Sequence, residues 1–362
     1  MADSRSMHPV SGMARRCSQP VWTALFLLAV HLGWAAVFGA AGLQAAVRIT
    51  DFRGVSLAAE KPANRIVCLI ESALSGLYML GVQDRVVGIS TNIYQQDIFA
   101  YYAAMDARIA ARQLPTPGNW DFVNLESVVA LAPDLVIVWA HQSEAIAAME
   151  ERGLRVYGVQ IARFEDISKE ISDLGTLTDS SERAQELIQY SHSALERLHR
   201  RKDQPGIPPQ KPGVYFMWAQ GDLETSGRPS TVDDLITLAG GRNVCGAIHQ
   251  EHLVVHLEDL LQWNPDVVVM WTHPSVSPQS IMTKPVWRSI HAVRDRRVHE
   301  LPSVFLCDLW TLKYQFAVRL MTEWCHPTGK SRADLVREAR EMLGGLYGKA
   351  AAERMPVEVA FP

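Results

Sequence analysis

A charge excess of either sign is missing from this 362-residue sequence: 35 basic residues face 39 acidic ones, for a net charge of −4. Setting aside residues 1–46 leaves 32 against 38. So mildly acidic a body has no footprint for a nucleic acid or an anionic membrane surface, and neither is expected as a partner. Cysteine is scarce, five in all, and no two form a C-x-x-C pair. Also absent are Gly-x-Ser-x-Gly, a phosphate loop and a dinucleotide fingerprint, while Gly240-Gly241 reads as a helix stop. Without a nucleophile constellation, enzyme activity is not expected. What remains, 48% hydrophobic and 20% charged, is ordinary globular usage, neither disordered, collagenous nor polytopic.

Long apolar runs are confined to the N-terminus. Arg15 and Arg16 precede an apolar run from Val21 to about Ala41, broken only by His31, and small residues cluster at Ala40, Ala41, Gly42, Ala45 and Ala46. Residues 1–46 therefore read as an export signal cleaved near Ala45 or Ala46, which places the body in the periplasm. The alternative is an uncleaved anchor, since about 20 apolar residues span a bilayer. Cys17 precedes the run and is not placed as a lipobox cysteine. Among the remaining cysteines, Cys68 lies in an apolar strand and is expected as a buried thiol. Cys307 and Cys325 flank a predicted helix and could bridge in an oxidising compartment.

Periodicity then describes the body. Short, β-branched runs at Arg65–Leu69, Val86–Ile89, Leu135–Trp139 and Arg155–Val159 suit buried parallel strands. Helical stretches at Ala73–Leu80, Leu125–Leu131 and Glu144–Arg152 lie between them and stop at Gly or Pro. A long helix from Ser181 to about Arg201 and a Pro-rich linker follow, and the pattern restarts with strands Val214–Trp218, Val267–Trp271 and Arg297–Leu301. Its helices are Val232–Ala239, Leu257–Trp263 and Leu309–Trp324. Phrases recur: Asn124-Leu125-Glu126 through Pro133-Asp134 to Trp139 is echoed by His256-Leu257-Glu258 through Pro265-Asp266 to Trp271. The predicted fold is α/β, two Rossmann-like lobes with parallel sheets joined by one long helix, with a cleft between them. Its expected parts are an N-terminal lobe at 47–180, a connecting helix at 181–203, a C-terminal lobe at 204–345 and a tail at 346–362.

On these phrases the sequence resembles the helical-backbone class of ABC-importer substrate-binding proteins, which serve iron–siderophore, haem, cobalamin and some metal-oxyanion uptake. The phrases include Asn64-Arg65-Ile66-Val67-Cys68-Leu69, Leu80-Gly81-Val82 through Gly88, Asn124 through Leu131, Asp234 through Val244 and Leu257-Glu258-Asp259-Leu260-Leu261. The stretches Thr116-Pro117-Gly118-Asn119 to Glu126 and Asp308-Leu309-Trp310 to His326-Pro327 look closest to the molybdate- and tungstate-binding branch. The resemblance implies a rigid, monomeric two-lobed binder with no cofactor of its own, delivering an iron chelate or related metal complex to a permease and its ATPase. A molybdate or tungstate binder is the alternative within that class. It also implies docking on the permease through an acid on each lobe. Glu126 matches the first; a solvated helix acid is its plainer explanation. The second position, usually Glu in a Gly-Gly-Glu-Asn phrase, is here Arg242, which puts the usual two-acid dock in doubt.

Loops leaving the strand ends supply the candidate ligand residues: Glu71 with Ser72, Asn92 with Tyr94, Trp120 and His141 in the first lobe. The second lobe adds Gln220, Ser226 with Arg228, His273, and Trp310 with Tyr314. Aromatic walls with a few charged groups suit a chelate. An oxyanion would want Arg228 with hydroxyls and backbone N–H groups, and directly held iron or haem would want Tyr94, His141 or His273. Each has a plainer reading as core, helix terminus or exposed loop, and Trp139 and Trp271, ending buried strands, are expected in the core. His249, His252 and His256 lack a zincin spacing, so no metal site is expected there. A membrane-anchored sensor and a metal-dependent periplasmic enzyme using those histidines remain as competing readings.

Overall fold

The structure, a computed structural model, describes residues 47–95, 97–202, 211–273 and 275–360. The predicted targeting segment and most of the Pro-rich linker lie outside the described residues. Among the described residues, no helix is long and apolar enough to cross a membrane.

The chain opens with an antiparallel hairpin, β1 (Val47–Thr50) and β2 (Ser56–Ala59), that periodicity did not reveal. Its turn is held by Asp51, whose carboxylate accepts N–H bonds from Arg53 and Val55 and pairs with the Arg53 guanidinium at 2.6 Å. That arginine packs over Gly158, where a Cβ would meet it at 2.7 Å, so only glycine permits the contact.

Next come β3 (Ile66–Cys68), β4 (Val86–Ile89), β5 (Leu135–Trp139) and β6 (Val156–Val159), all parallel in the order β4-β3-β5-β6. The second half contains β7 (Gly213–Met217), β8 (Glu224–Thr225), β9 (Arg242–Asn243), β10 (Leu253–Val254), β11 (Val267–Met270) and β12 (Val298–Glu300). Its main sheet is parallel and ordered β9-β7-β11-β12, the same arrangement as the first, while β8 and β10 form a small antiparallel pair. Strands of such sheets are covered on both faces, which is why β3, β5, β7 and β11 are apolar runs without alternation. The echoed phrases occupy equivalent places: Pro133 and Pro265, Asp134 and Asp266, and Trp139 and Trp271 are each 132 residues apart. The α/β fold with two parallel sheets and a long helix, Ser181–Lys202, agrees with the sequence expectation.

That helix buries Ala184, Leu187, Leu195 and Leu198. It packs on helix Phe164–Leu177 from the first half and helix Tyr314–Cys325 from the second. One apolar core runs from Ile66 and Cys68 through Leu174 and Leu187 to Val214 and Phe216. A continuous core with a helical spine resists wide hinge bending.

Three expectations need correction. Helix Leu309–Trp324 begins only at Tyr314; residues 309–313 turn instead, with the Trp310 N–H donating to Asp308 Oδ1 and the Lys313 N–H to Thr311 Oγ1. The helical spacing of Leu309 and Leu312 imitated a helix that these side-chain bonds divert. The boundary at 345/346 falls inside helix Arg332–Tyr347, and helix Lys349–Arg354 returns to pack against helix Phe99–Met105 of the first half. The 346–362 segment is therefore, as far as it is described, part of the packed body. Finally, Cys307 and Cys325 are buried thiols and form no bridge. Cys68 is a buried thiol as expected, its pKa raised by burial.

Candidate functional site

Parallel strands of both sheets end at one cleft, of about 770 Å³, the place where open α/β sheets bind ligands. After β3 the chain turns into helix Glu71–Met79, so Glu71 and Ser72 reach the cleft from a helix N-terminus. At the end of β5 come Trp139 and His141; after β7, Trp218 and Gln220; after β11, Trp271 and His273. The loop from β12 to helix Tyr314–Cys325 forms the floor with Phe305, Asp308, Trp310 and Lys313.

Indoles dominate the walls. Trp218 and Trp310 stack with centroids 6.1 Å apart and planes 12° apart, and Trp271 meets them at 5.4 and 5.8 Å. His252 tilts against Trp218 at 5.3 Å. Opposite them Trp139 stacks on His141 at 6.4 Å, and Trp120, 49% exposed, stands on the rim. Asn119 holds the Trp120 loop: its Oδ1 accepts N–H bonds from Asp121 and Phe122, and its Nδ2 donates to Thr91 and Asn92. Gly118 has no room for a Cβ, which would lie 2.4 Å from the Phe122 carbonyl oxygen.

The polar groups are few and fixed. Burial pushes the Glu71 carboxyl pKa up, against the Ser90 hydroxyl that donates to its Oε1 at 2.6 Å. Ser72 Oγ is buried in the wall and makes no hydrogen bond. The His273 Nδ1 accepts N–H bonds from Ser275 and Val276 at 3.0 and 2.9 Å, leaving the ring proton on Nε2. Lys313 is 1% exposed; its ammonium donates to Ser75 Oγ at 2.7 Å, lies 3.8 Å from Asp308 Oδ2 and rests 3.9 Å from the centre of the Phe305 ring. Burial lowers its pKa to about 8, with Asp308 opposing the shift. Burial likewise raises the Asp308 carboxyl. Behind this floor lies Glu170, pushed up to about 8 by burial and then by Asp308 and Asp173, with Oε1 unbonded.

Glu71, Trp120, His141, His273 and Trp310, all singled out in the sequence, thus meet in one cleft, with Ser72 and Gln220. Four others do not. The Tyr94 hydroxyl bonds the Leu114 backbone at 3.2 Å, with the Arg112 guanidinium over its ring. Ser226 is fully buried behind the cage, accepting the Trp218 Nε1–H at 2.8 Å. Arg228 is exposed beside Ile248, to whose carbonyl its backbone N–H donates. Tyr314 is core: its hydroxyl donates to the Thr231 carbonyl and its ring stacks on Phe164. Asn92 is buried under the Trp120 loop. Conversely, Trp139 and Trp271 line the cleft they were expected to lie behind, and His252 joins it. His249 and His256 are exposed, and no group of three or more metal-ligating side chains occurs among the described residues. Glu126 is exposed in the first turn of helix Leu125–Ala130. Arg242 is exposed at the start of β9, paired with Gly213 at the end of the sheet away from the cleft.

Two like-ordered parallel sheets, a helical spine and a cleft at the strand ends define a two-lobed solute binder. The chain belongs to the periplasmic binding protein family, whose profile matches residues 66–305. It is 25% identical over 263 residues to an uncharacterized ABC transporter substrate-binding lipoprotein of Bacillus subtilis, covering 70% of this chain and 78% of that protein. It is 25% identical over 259 residues to the molybdate-binding protein MolA of Haemophilus influenzae, covering 66% and 72%. A periplasmic solute-binding protein of Veillonella parvula superposes with a TM-score of 0.66 at 24% identity, over 83% of this chain and 92% of that one. This is a periplasmic binding protein of the kind that serves ABC transporters.

Proposed function

We propose that this protein captures a metal chelate, of the siderophore or haem-like kind, and hands it to an ABC permease and its ATPase. The observation that carries the ligand class is the lining: five tryptophans around about 770 Å³ supply flat apolar contact area far beyond what a bare ion uses. The oxyanion alternative called for Arg228, which stands outside the cleft. Tryptophan-quenching titration with ferric chelates, haem, cobalamin, molybdate and tungstate tests the reading. Saturable quenching by a chelate supports it; quenching by the oxyanions alone refutes it.

For docking, the internal repeat points to a second acid. Trp120 and His252, 132 residues apart, both line the cleft. Beyond them the same offset pairs exposed Phe122 with Val254, Glu126 with Glu258, and Val129 with Leu261. Each half thus carries one exposed acid between two exposed apolar side chains, beginning at the cleft rim. Such a repeated patch suits a partner with two equivalent basic sites, and Glu258, in place of Arg242, completes the pair with Glu126. Transport assays test it: Glu258→Arg should abolish uptake with ligand affinity intact, and full uptake by that variant refutes the assignment.

A further inference from the structure

We infer that the solute this cleft takes is a multi-ring aromatic metal complex carrying net positive charge. The inference rests on reading the cleft as the solute site, and it narrows the ligand to one charge class.

The fixed charges argue first. Among the described residues lining the cleft there is no arginine; the charged groups are Glu71, Asp97, Asp308 and Lys313. The ammonium of Lys313 is not available to an anion. It is sealed from solvent, bonded to Ser75, set against Asp308 and covered by the Phe305 ring. Its charge offsets Asp308 within the protein, which leaves the carboxyls of Glu71 and Asp97 with no lysine or arginine partner among the described lining residues. Glu71 also stands in the first turn of its helix, where the backbone N–H groups would otherwise favour an anionic ligand. The hydrogen bond to its Oε1 comes from a neutral group, the Ser90 hydroxyl.

The walls argue the same way. An indole presents a negative face, and a cation within about 6 Å of a ring centre is attracted to it. Trp218, Trp271 and Trp310 enclose one corner, Trp139 faces the cleft from the other half, and Trp120 covers the rim. Flat rings with positive charge spread over them satisfy both features, stacking on the indoles and balancing the carboxylates. Among siderophore- and haem-like chelates this favours those whose own anionic groups are outweighed by the metal and its rings, because a polyanionic one would set like charges beside the Glu71 and Asp97 carboxyls.

Two substitution-inert cobalt(III) complexes of similar octahedral shape separate the classes: the tripositive bis(terpyridine) complex and the uninegative bis(pyridine-2,6-dicarboxylate) complex. In tryptophan-quenching titrations of the purified protein the cation should bind at least about tenfold tighter, with a preference that shrinks as salt is added. Asp97→Arg, a change on the exposed rim, should narrow the preference, and Trp310→Ala should weaken the cation. Equal or tighter binding of the anion overturns the charge class and leaves the cleft as the solute site. Cation binding that Trp310→Ala and Asp97→Arg both leave unchanged overturns it as well, because the complex then sits elsewhere. If neither complex quenches a protein whose circular dichroism shows it folded while a ferric chelate or haem does, the charge class falls and the chelate reading stands; if none of them quenches, both fall.

Discussion

Lys313 offers the sharpest test of how the cleft floor is built. Its pKa falls from 10.5 to about 8 on folding, because burial disfavours the ammonium more than Asp308 favours it. Between those two values the unfolded chain holds a proton that the native protein has released. Stability must therefore rise with pH across that window and be lowest, for this group, below pH 8. The shift is worth about 3 kcal/mol when complete. No discount for solvent screening applies to a side chain 1% exposed. The double variant Lys313→Met/Asp308→Asn removes both charges together, so no unpaired carboxylate is left buried; the amide oxygen introduced by Asp308→Asn can still accept the Trp310 N–H. Urea unfolding followed by tryptophan fluorescence at pH 7.5, 8.5, 9.5 and 10.5 gives the two stability curves. The variant should be the more stable relative to wild type at pH 7.5, and that advantage should shrink by about 3 kcal/mol as pH rises. The tyrosines and cysteines that titrate in the unfolded chain cancel in the difference, and carrying Glu170→Gln in both proteins removes the carboxyl that Asp308 also holds up. A difference that stays constant with pH would refute the depressed lysine and, with it, the view that Lys313 is sealed from water.

Other outcomes follow from the same geometry. Trp271→Ala and Trp310→Ala should each weaken ligand binding by about 1–3 kcal/mol in calorimetry, without loss of fold, since each removes one wall of the cage. Glu170→Gln should raise stability at pH 7 by up to about 3 kcal/mol. The carboxyl's pKa rises from 4.5 to about 8 on folding, so wild type loses stability from this group as pH climbs through that range, and the variant's advantage over wild type should grow from pH 4.5 to about 8. Glu126→Arg should impair uptake in cells while leaving the ligand dissociation constant of the purified protein unchanged; lost affinity would contradict a docking role. Asn119→Ala should loosen the Trp120 loop, costing about 1–2 kcal/mol of ligand affinity and little thermal stability, read by titration against the melting temperature.

Local pattern alone determined much of the frame. Buried parallel strands must be apolar on both faces, so Val86–Ile89 and Leu135–Trp139 were bounded from sequence to the residue. The recurrence of Leu-Glu, Pro-Asp and a terminal Trp foretold two sheets of one design. Residues following a strand end, such as Glu71, His141 and His273, were recognisable as cleft candidates because ligand loops in such sheets leave from there. Only the tertiary structure decided which of these side chains meet. Ser226 and Tyr314 looked like ligand groups, but packing turned their hydroxyls to Trp218 and to Thr231. Trp139 and Trp271 looked like core, but Trp139 sits in the last pair of its sheet and Trp271 one step past it, so both face the opening. The floor was least legible. Asp308 and Lys313 lie in and beside a loop whose leucine spacing imitates a helix, and Ser75, Asp308 and Tyr347 around the ammonium come from three separate stretches of chain. Periodicity reports the face a residue gives to its own element. Whether two such faces enclose a solute depends on how the elements are set against each other, and that is fixed by long-range packing.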